Sequence, residues 1–458
     1  MLNFLLEHSK EDAPAFVRAN GEAMPYGSLA EAVRAVVDAV VAQAGTMKQR
    51  ALGVAVADQA GFLVASLAAF ALEAVLVPLD VRAGREAVAA QARRAHVVAI
   101  VEGDPENDSL RVVPCDPKRV EQDARAQLIL FTSGSSGAPK AVVLSRAGLQ
   151  ANIDAIGAYL PITAAARTPL TLPLCYSYAL VGQAFVTLRK GGALVGLGEL
   201  AYPAQQVEAM ARLECDGISS VPTALRTFAE IAVELPAPER PELRYVASAG
   251  GPLDRATIEL LRAAFPRARL YNQYGLTEAS PRVTAISERE PAFAKGSVGR
   301  PIGETRVSAV DGELVVSGPS VMLGYLDDPE ATREALRADG LHTGDRGRVD
   351  DEGYVYVDGR LDGLVKVAGE RVSVDEVAEV LRGAAGVTEA CVVAVPDERT
   401  GARLVAFVVG GDPGDLKAWM RERLPPAKRP RIESVAELPR TANGKPDLPA
   451  LRARAERP

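Results

Sequence analysis

The sequence predicts an α/β protein: a large N-terminal domain of α/β subdomains plus a β-rich subdomain, followed by a small α+β C-terminal domain. Three observations predict it. Helix-like and strand-like patterns alternate through the first two-thirds of the chain, as in largely parallel sheets. From 311 to 358 the pattern changes to Gly-rich turns between alternating segments. After Arg360 the order is strand, helix, strand, strand, helix, which reads as a separate small domain. A chain of 458 residues is also too long for one ordinary core, so two or three domains are expected.

The elements follow in order. Leu29 to Ala44 is a helix-like, alanine-rich stretch, and Ala51 to Ala57 is an apolar strand. Residues 61–79 are the longest apolar run, but Glu73 and Pro78 interrupt it, so a core helix followed by a short buried strand suits it better than a membrane span. Glu86 to Arg94 reads as a helix and Val97 to Val101 as a strand. Leu128 to Phe131 and Ala141 to Ser145 are two strands around a polar loop. Further strands are expected at Ala193 to Leu197, Gly217 to Val221, Tyr245 to Ser248 and Arg269 to Tyr271. Glu313 to Val316 and Tyr354 to Val357 carry the β-rich part. Helices at Ser373 to Leu381 and Asp415 to Arg423, with strands at Ala390 to Val395 and Arg403 to Val409, make up the last domain. The Pro/Ala/Arg-rich tail after Leu451 is expected to fray.

Composition excludes several classes. Charged residues at 24% and hydrophobic ones at 48% are those of a globular protein. A net charge of −7 argues against a nucleic-acid partner held through phosphates. Cys115, Cys175, Cys215 and Cys391 are scattered and form no C-x-x-C pair, so reduced, buried thiols are expected. The N-terminus lacks the basic start and apolar length of a signal peptide, which points to the cytoplasm.

The loop Thr132-Ser133-Gly134-Ser135-Ser136-Gly137-Ala138-Pro139-Lys140 carries the most chemistry. Glycines let a backbone approach closely and turn its N–H groups inward, hydroxyls add donors, and Lys140 adds a positive charge. That combination suits a polyphosphate, although such a composition also suits a plain flexible connection. It is not the G-x-x-x-x-G-K-[ST] loop, because Ala138 and Pro139 separate Gly137 from the lysine.

This loop resembles the phosphate-binding motif of the adenylate-forming superfamily: acyl-CoA synthetases, peptide-synthetase adenylation domains and luciferases. Four further segments match in the family's order. Tyr271-Asn272-Gln273-Tyr274-Gly275-Leu276-Thr277-Glu278 resembles its Y-G-x-T-E segment, and Leu341-His342-Thr343-Gly344-Asp345 its R-T-G-D segment. Gly359-Arg360-Leu361-Asp362, through Lys366 to Gly369, resembles its hinge and the strand after it. Pro439-Arg440-Thr441-Ala442-Asn443-Gly444-Lys445 resembles its catalytic-lysine loop. The resemblance spreads over most of the chain. It implies an N-terminal AMP-binding domain over 1–361 and a mobile C-terminal domain over 362–458.

The implied activity is ATP-dependent activation of a carboxylic acid to an acyl adenylate, with release of pyrophosphate, then transfer to a pantetheine thiol of CoA or of an acyl or peptidyl carrier protein. The implied roles suit the residue types. Glu278 is the Mg2+ ligand, a hard carboxylate for a hard cation. Thr277 bonds the α-phosphate or the acyl carbonyl. Tyr274 stacks on adenine, with Asn272, Gly275, Gly250 and Gly251 around the nucleotide. Asp345 accepts from both ribose hydroxyls, Arg360 reaches ribose or phosphate, and His342 is a bystander. Lys445 bridges carboxylate and α-phosphate during adenylation. Asp362 is the hinge. Lys366 enters for the thiol step and Gly369 leaves room for the pantetheine arm, while Arg371 suits a CoA phosphate or an exposed structural position equally.

Some positions depart from the family. Ala141 follows the loop lysine where glycine is usual, Ser135 stands for threonine, and Gly363 follows the hinge where aspartate is common. In Pro173-Leu174-Cys175-Tyr176-Ser177-Tyr178, Tyr176 occupies a position where relatives carry histidine, and it is the candidate gate of the acid pocket. With Val181 and Ser219 it suggests an uncharged acid side chain. No aspartate lies in that segment to hold an α-ammonium, which disfavours ordinary amino acids. Arg421, Arg423, Lys428, Arg429 and Arg431 suit CoA, a carrier protein or plain solvent. Monomer and homodimer both remain open. From other classes, a catalytically inactive nucleotide-binding protein and a phosphotransferase are the alternatives.

Overall fold

The computed structural model describes residues 1–103, 110–115, 120–132, 140–361, 364–367, 370–397, 401–441 and 444–456. It is built of layered sheets and helices, with the α/β alternation the sequence predicts.

A seven-stranded sheet has the order Gly324–Tyr325, Lys140–Ser145, Ala126–Thr132, Val75–Pro78, Ala51–Ala55, Val97–Gly103, Leu110–Pro114. Its four central strands are parallel, and hairpin partners on either side run antiparallel. The central strands are buried on both faces, which is why they read as unbroken apolar runs. The apolar stretch at 61–79 resolves into helix Gln59–Ala71 and strand Val75–Pro78. Asp58 caps that helix, accepting the Gly61 N–H at 2.7 Å. Nine consecutive helical positions, Phe62 to Phe70, are buried because sheet and helices cover every side. No helix among the described residues is long and apolar enough to cross a membrane.

A second sheet places Gly217–Ser220, Tyr245–Ser248 and Arg269–Tyr274 in parallel, then adds Thr284–Ser287 and Arg300–Pro301 antiparallel. A four-stranded sheet joins Ala23–Pro25, Pro14–Val17, Ala193–Gly196 and Arg167–Leu170. The β-rich part is a five-stranded sheet built on Arg306–Val310, Glu313–Ser317, Gly340–Val349 and Leu336–Arg337, with Val355–Arg360 on the long Gly340–Val349 strand.

Two compact units emerge. The first is Met1–Val307 with Val316–Leu341 and Asp351–Val355; the second is Ser308–Val315 with His342–Asp350 and Tyr356–Pro458. In the second, Val387–Asp397, Gly401–Gly410 and Arg431–Val435 form a three-stranded sheet covered by helices Val374–Arg382, Pro413–Arg423 and Leu448–Ala455.

The last helix corrects the expectation of a frayed tail. Asp447 caps it, accepting the Ala450 N–H at 3.0 Å. Leu451 and Ala455, four apart and so on one face, are fully buried with Val393 and Phe407. Two well-placed apolar residues suffice to dock a helix whose other positions are polar or charged.

Candidate active site

In the first unit, Thr132 and Lys140 are the last paired residues of an antiparallel hairpin. The two ends of the candidate phosphate loop are therefore held side by side. Ser133, Gly134, Ser135, Ser136 and Gly137 lie outside the described residues. The Lys140 ammonium sits 4.8 Å from the centroid of the Tyr325 ring, a cation–π distance. The Tyr325 hydroxyl donates to Glu278 Oε1 at 2.9 Å. The Glu278 carbonyl accepts the Met322 N–H at 2.8 Å, which fixes the turn from a second side. Tyr325, absent from the sequence reading, thus links the loop lysine to the candidate metal ligand.

Thr277 and Glu278 stand on a short 3-10 turn after strand Arg269–Tyr274, both partly exposed. The chain must bend sharply to reach this turn. A Cβ at Gly275 would lie 1.9 Å from the Pro281 carbonyl oxygen, so only glycine fits there. Thr277 Oγ1 lies 3.0 Å from Ser177 Oγ. The candidate catalytic threonine therefore meets the segment that carries Tyr176. Tyr274 is half-buried, and the Asn272 amide turns to the Ser297 carbonyl at 3.1 Å. Gly250 adopts φ +86° in the exposed turn after strand Tyr245–Ser248, and Gly251 beside it is exposed too.

Tyr176 is held by a pair that no local pattern announced. Its hydroxyl donates to Asp80 Oδ2 at 3.0 Å and accepts from Arg82 Nη2 at 3.1 Å. Arg82 grips the Asp80 carboxylate through Nε and Nη2 at 2.8 and 2.7 Å. Burial alone would raise the Asp80 carboxyl, but the Arg82 hydrogen bonds and charge outweigh it and hold it below its ordinary value. Burial pushes the neighbouring Cys175 thiol up to about 12. An aspartate does stand at this segment, then, but Arg82 already neutralises it.

Beyond Tyr176 the chain enters a helical stretch, Ser177–Ala179, whose next turn, Leu180–Phe185, is π-helical before Val186–Arg189 resumes the α form. Such turns recur at functional sites. Val181 is fully buried on this turn, and Gln183 donates its amide to the Ser219 carbonyl.

The second unit brings Asp345 and Arg360 together. Arg360 Nη1 donates to Asp345 Oδ1 and to the Thr343 carbonyl, both at 3.1 Å. Glu313 organises the turn before them: one oxygen accepts the Gly344 N–H at 2.8 Å, and the other lies 2.7 Å from His342 Nδ1. Gly344 has φ +71°, a conformation open to glycine. His342 is therefore held in this turn by Glu313. Lys445 is exposed on a tight loop closed by a bridge between Arg440 and Pro446, with the Thr441 N–H on the Lys445 carbonyl at 2.8 Å. The backbone of Lys366 lies in strand Leu364–Val367 opposite Arg371. The side chains of both, and all of Asp362 and Gly369, lie outside the described residues.

The AMP-binding enzyme family model matches residues 6–326, and the AMP-binding enzyme C-terminal domain model matches 376–445. The chain belongs to the AMP-binding enzyme family. Over 336 residues it is 33% identical to a feruloyl-CoA synthase of Amycolatopsis sp, covering 69% of this chain and 67% of that one. It is also 33% identical over 366 residues to a sulfoacetate–CoA ligase of Cupriavidus necator, covering 74% and 70%. ATP-bound MatB from Rhodopseudomonas palustris shares the fold at a TM-score of 0.85 and 23% identity, over 100% of this chain and 99% of that one. This family member is an AMP-forming acyl-CoA synthetase-like ligase: it uses ATP to activate a small carboxylic acid and passes the acyl group to CoA.

Proposed function

We propose that Lys140, Tyr325, Glu278 and Thr277 of the first unit serve the adenylation step, and that Lys445, Asp345 and Arg360 of the second unit have roles in the same reaction. The observation that carries this is the Tyr325 bridge between Lys140 and Glu278, beside the Thr277–Ser177 contact. It gathers a cation, a carboxylate and a hydroxyl donor where a phosphate loop begins and an acid-pocket segment ends.

In the first step a carboxylate oxygen attacks the α-phosphorus of ATP, the bond to the β-phosphate oxygen breaks, and pyrophosphate leaves. Two anions must approach, so positive charge and positioning carry most of the catalysis. Lys140 and the loop hold the outer phosphates, Thr277 donates to the α-phosphate, and Lys445 neutralises the pair as they meet. Asp345 takes the ribose hydroxyls, with Arg360 fixing its orientation. Tyr274, Asn272, Gly275, Gly250 and Gly251 frame the nucleotide. Mg2+ fits this donor set: Tyr325 engages Glu278 Oε1, and no cluster of three acidic, histidine or cysteine ligands occurs among the described residues. Glu278 would hold the ion together with phosphate oxygens, and the bound ion would supply charge neutralisation.

In the second step the thiol attacks the acyl carbon and AMP leaves. Residues 1–361 and 362–458 act as two domains that turn about Asp362, replacing Lys445 by the strand with Lys366 and Gly369. The acceptor is CoA rather than a carrier-protein pantetheine, in keeping with the CoA ligases among the relatives. Tyr176 gates the acid pocket that Val181 and Ser219 line, and the Asp80–Arg82 pair leaves no open carboxylate for an α-ammonium. The protein works in the cytoplasm, as a monomer or homodimer.

Acid-dependent exchange of labelled pyrophosphate into ATP tests the reading, with aliphatic, aryl and amino acids as the panel. Exchange with a carboxylic acid, followed by thioester formation with CoA, is the expected result. ADP as product, or ATP binding without exchange for any acid, would overturn it.

A further inference from the structure

Arg282 is only 3% exposed, an unusual state for a guanidinium. Its backbone is clamped by the fully buried Asn152, whose Oδ1 accepts the Arg282 N–H at 3.2 Å and whose Nδ2 donates to the Arg282 carbonyl at 2.7 Å. Its guanidinium carbon lies 4.5 Å from the centroid of the Tyr178 ring. A Cβ built on Gly182 would come within 3.4 Å of Nη2. The charge therefore rests on the π-helical turn that carries Val181 and Gln183.

Among the described residues no carboxylate pairs with Arg282, and its buried Nε has no hydrogen-bond partner. The Tyr159 and Tyr178 hydroxyls hydrogen-bond the guanidinium, but hydroxyls and one cation–π contact do not replace a counter-ion, and a buried charge without one is costly. The neighbouring phenols are not counter-ions either: burial pushes Tyr178 up to about 12, so it stays neutral. The buried Tyr245 hydroxyl is a second donor without an acceptor. It projects from the sheet face that also bears Ser219 and Gln273, given the register Gly217↔Tyr245 and Ala247↔Tyr271 and the two-residue repeat of a strand. Gln183 Oε1 and Gln273 Oε1 are orphan acceptors beside them. A polar, buried place with an unmatched cation thus adjoins the candidate acid pocket. Ser177, one residue before Tyr178, meets Thr277, where the reacting carboxylate is expected.

We propose that Arg282 selects the substrate, and that the acid activated here carries a second anionic group at its far end, a carboxylate or a sulfonate, which pairs with the Arg282 guanidinium above the Tyr178 ring. This rests on the acid-activation reading and replaces the uncharged acid side chain that Tyr176, Val181 and Ser219 suggest from sequence. Because Ser177 and Tyr178 are adjacent, the two ends of the acid are separated by a short spacer.

The test measures binding by calorimetry and pyrophosphate exchange in parallel. The probes are succinate, glutarate, phthalate and sulfopropionate, each against an isostere whose second anionic group is replaced by a branched alkyl end. The wild type is expected to favour one of the dianions at least tenfold in kcat/KM. Arg282→Met is expected to reduce kcat/KM for that dianion by roughly a hundredfold, while its isostere loses no more than about tenfold, the upper reach of a volume-conserving packing change. Arg282→Lys, which keeps the charge, retains part of the preference and serves if the methionine variant does not fold. Exchange with the isosteres alone would overturn the proposal and leave acid activation standing. A dianion that binds through Arg282 but supports no exchange would sustain the anion site and sink the activation reading. Neither binding nor exchange of any dianion would also overturn the proposal.

Discussion

The Tyr325 hydroxyl donates to Glu278 Oε1 at 2.9 Å, while the same ring lies against the Lys140 ammonium. One side chain thus sets the position of a cation and an anion that adenylation would use together. Tyr325→Phe keeps the ring and deletes the hydrogen bond. It is expected to weaken the apparent Mg2+ dependence of exchange and to slow exchange by about tenfold, the scale of one bond to a charged acceptor. Tyr325→Leu, which also loses the cation–π contact, is expected to be slower still. A Phe variant with wild-type Mg2+ titration and rate would remove Tyr325 from the machinery.

Lys445 is exposed on its closed loop in the second unit. Lys445→Ala is expected to suppress acyl-adenylate formation by at least a hundredfold, the scale of losing a charge aimed at the transition state. A preformed acyl adenylate is expected to be consumed by thiol at the wild-type rate. Single-turnover measurement of each half-reaction decides, and equal loss in both would contradict the assignment.

The Asp80–Arg82 pair predicts a pH dependence with a definite sign. Asp80 is held below its ordinary value of 3.8 in the folded state, so its contribution to stability is fully present above that value. It is lost as pH falls through the lower, folded value. The urea midpoint of Asp80→Asn should lie below that of wild type at neutral pH, and the gap should shrink in strong acid. A gap unchanged by acid would mean that the pair contributes nothing through its charge.

Leu451 is fully buried against Val393, Phe407 and Ala455. Leu451→Ala is expected to destabilise the second unit by about 2–5 kcal/mol. A calorimetric transition for that unit at lower temperature would register the loss. An unchanged melt would mean that the last helix is not docked in solution.

Most of the fold was legible because its signals are local. The runs at Ala51–Ala55 and Tyr245–Ser248 are apolar and short, and the helix at Gln59–Ala71 is apolar on all sides. The candidate site was legible where a motif is contiguous, as in Thr277-Glu278 or Thr343-Gly344-Asp345. The residues that hold those motifs were not. Tyr325 lies 47 positions from Glu278 and Asp80 lies 96 from Tyr176, so only the folded chain joins them. Glu313 reaches His342 and Gly344 across neighbouring strands, a pairing that no turn signal encodes. Arg282 sits four residues after Glu278 in plain view, but an arginine in a sequence is presumed to face solvent, and its burial follows from the Asn152 clamp. The docked tail was missed because two apolar positions give too weak a periodicity to outweigh the prolines and arginines around them.

The π-helical turn at Leu180–Phe185 bears on how this enzyme could diverge. A π turn holds one residue more than the α-helix around it requires. Deleting a single residue there would heal the helix and rotate everything on its N-terminal side by about 100°. Tyr178 would leave Arg282, and Ser177 would leave Thr277. Substrate range at this pocket is therefore open to change by gain or loss of one codon, a step larger than any single substitution along the same turn.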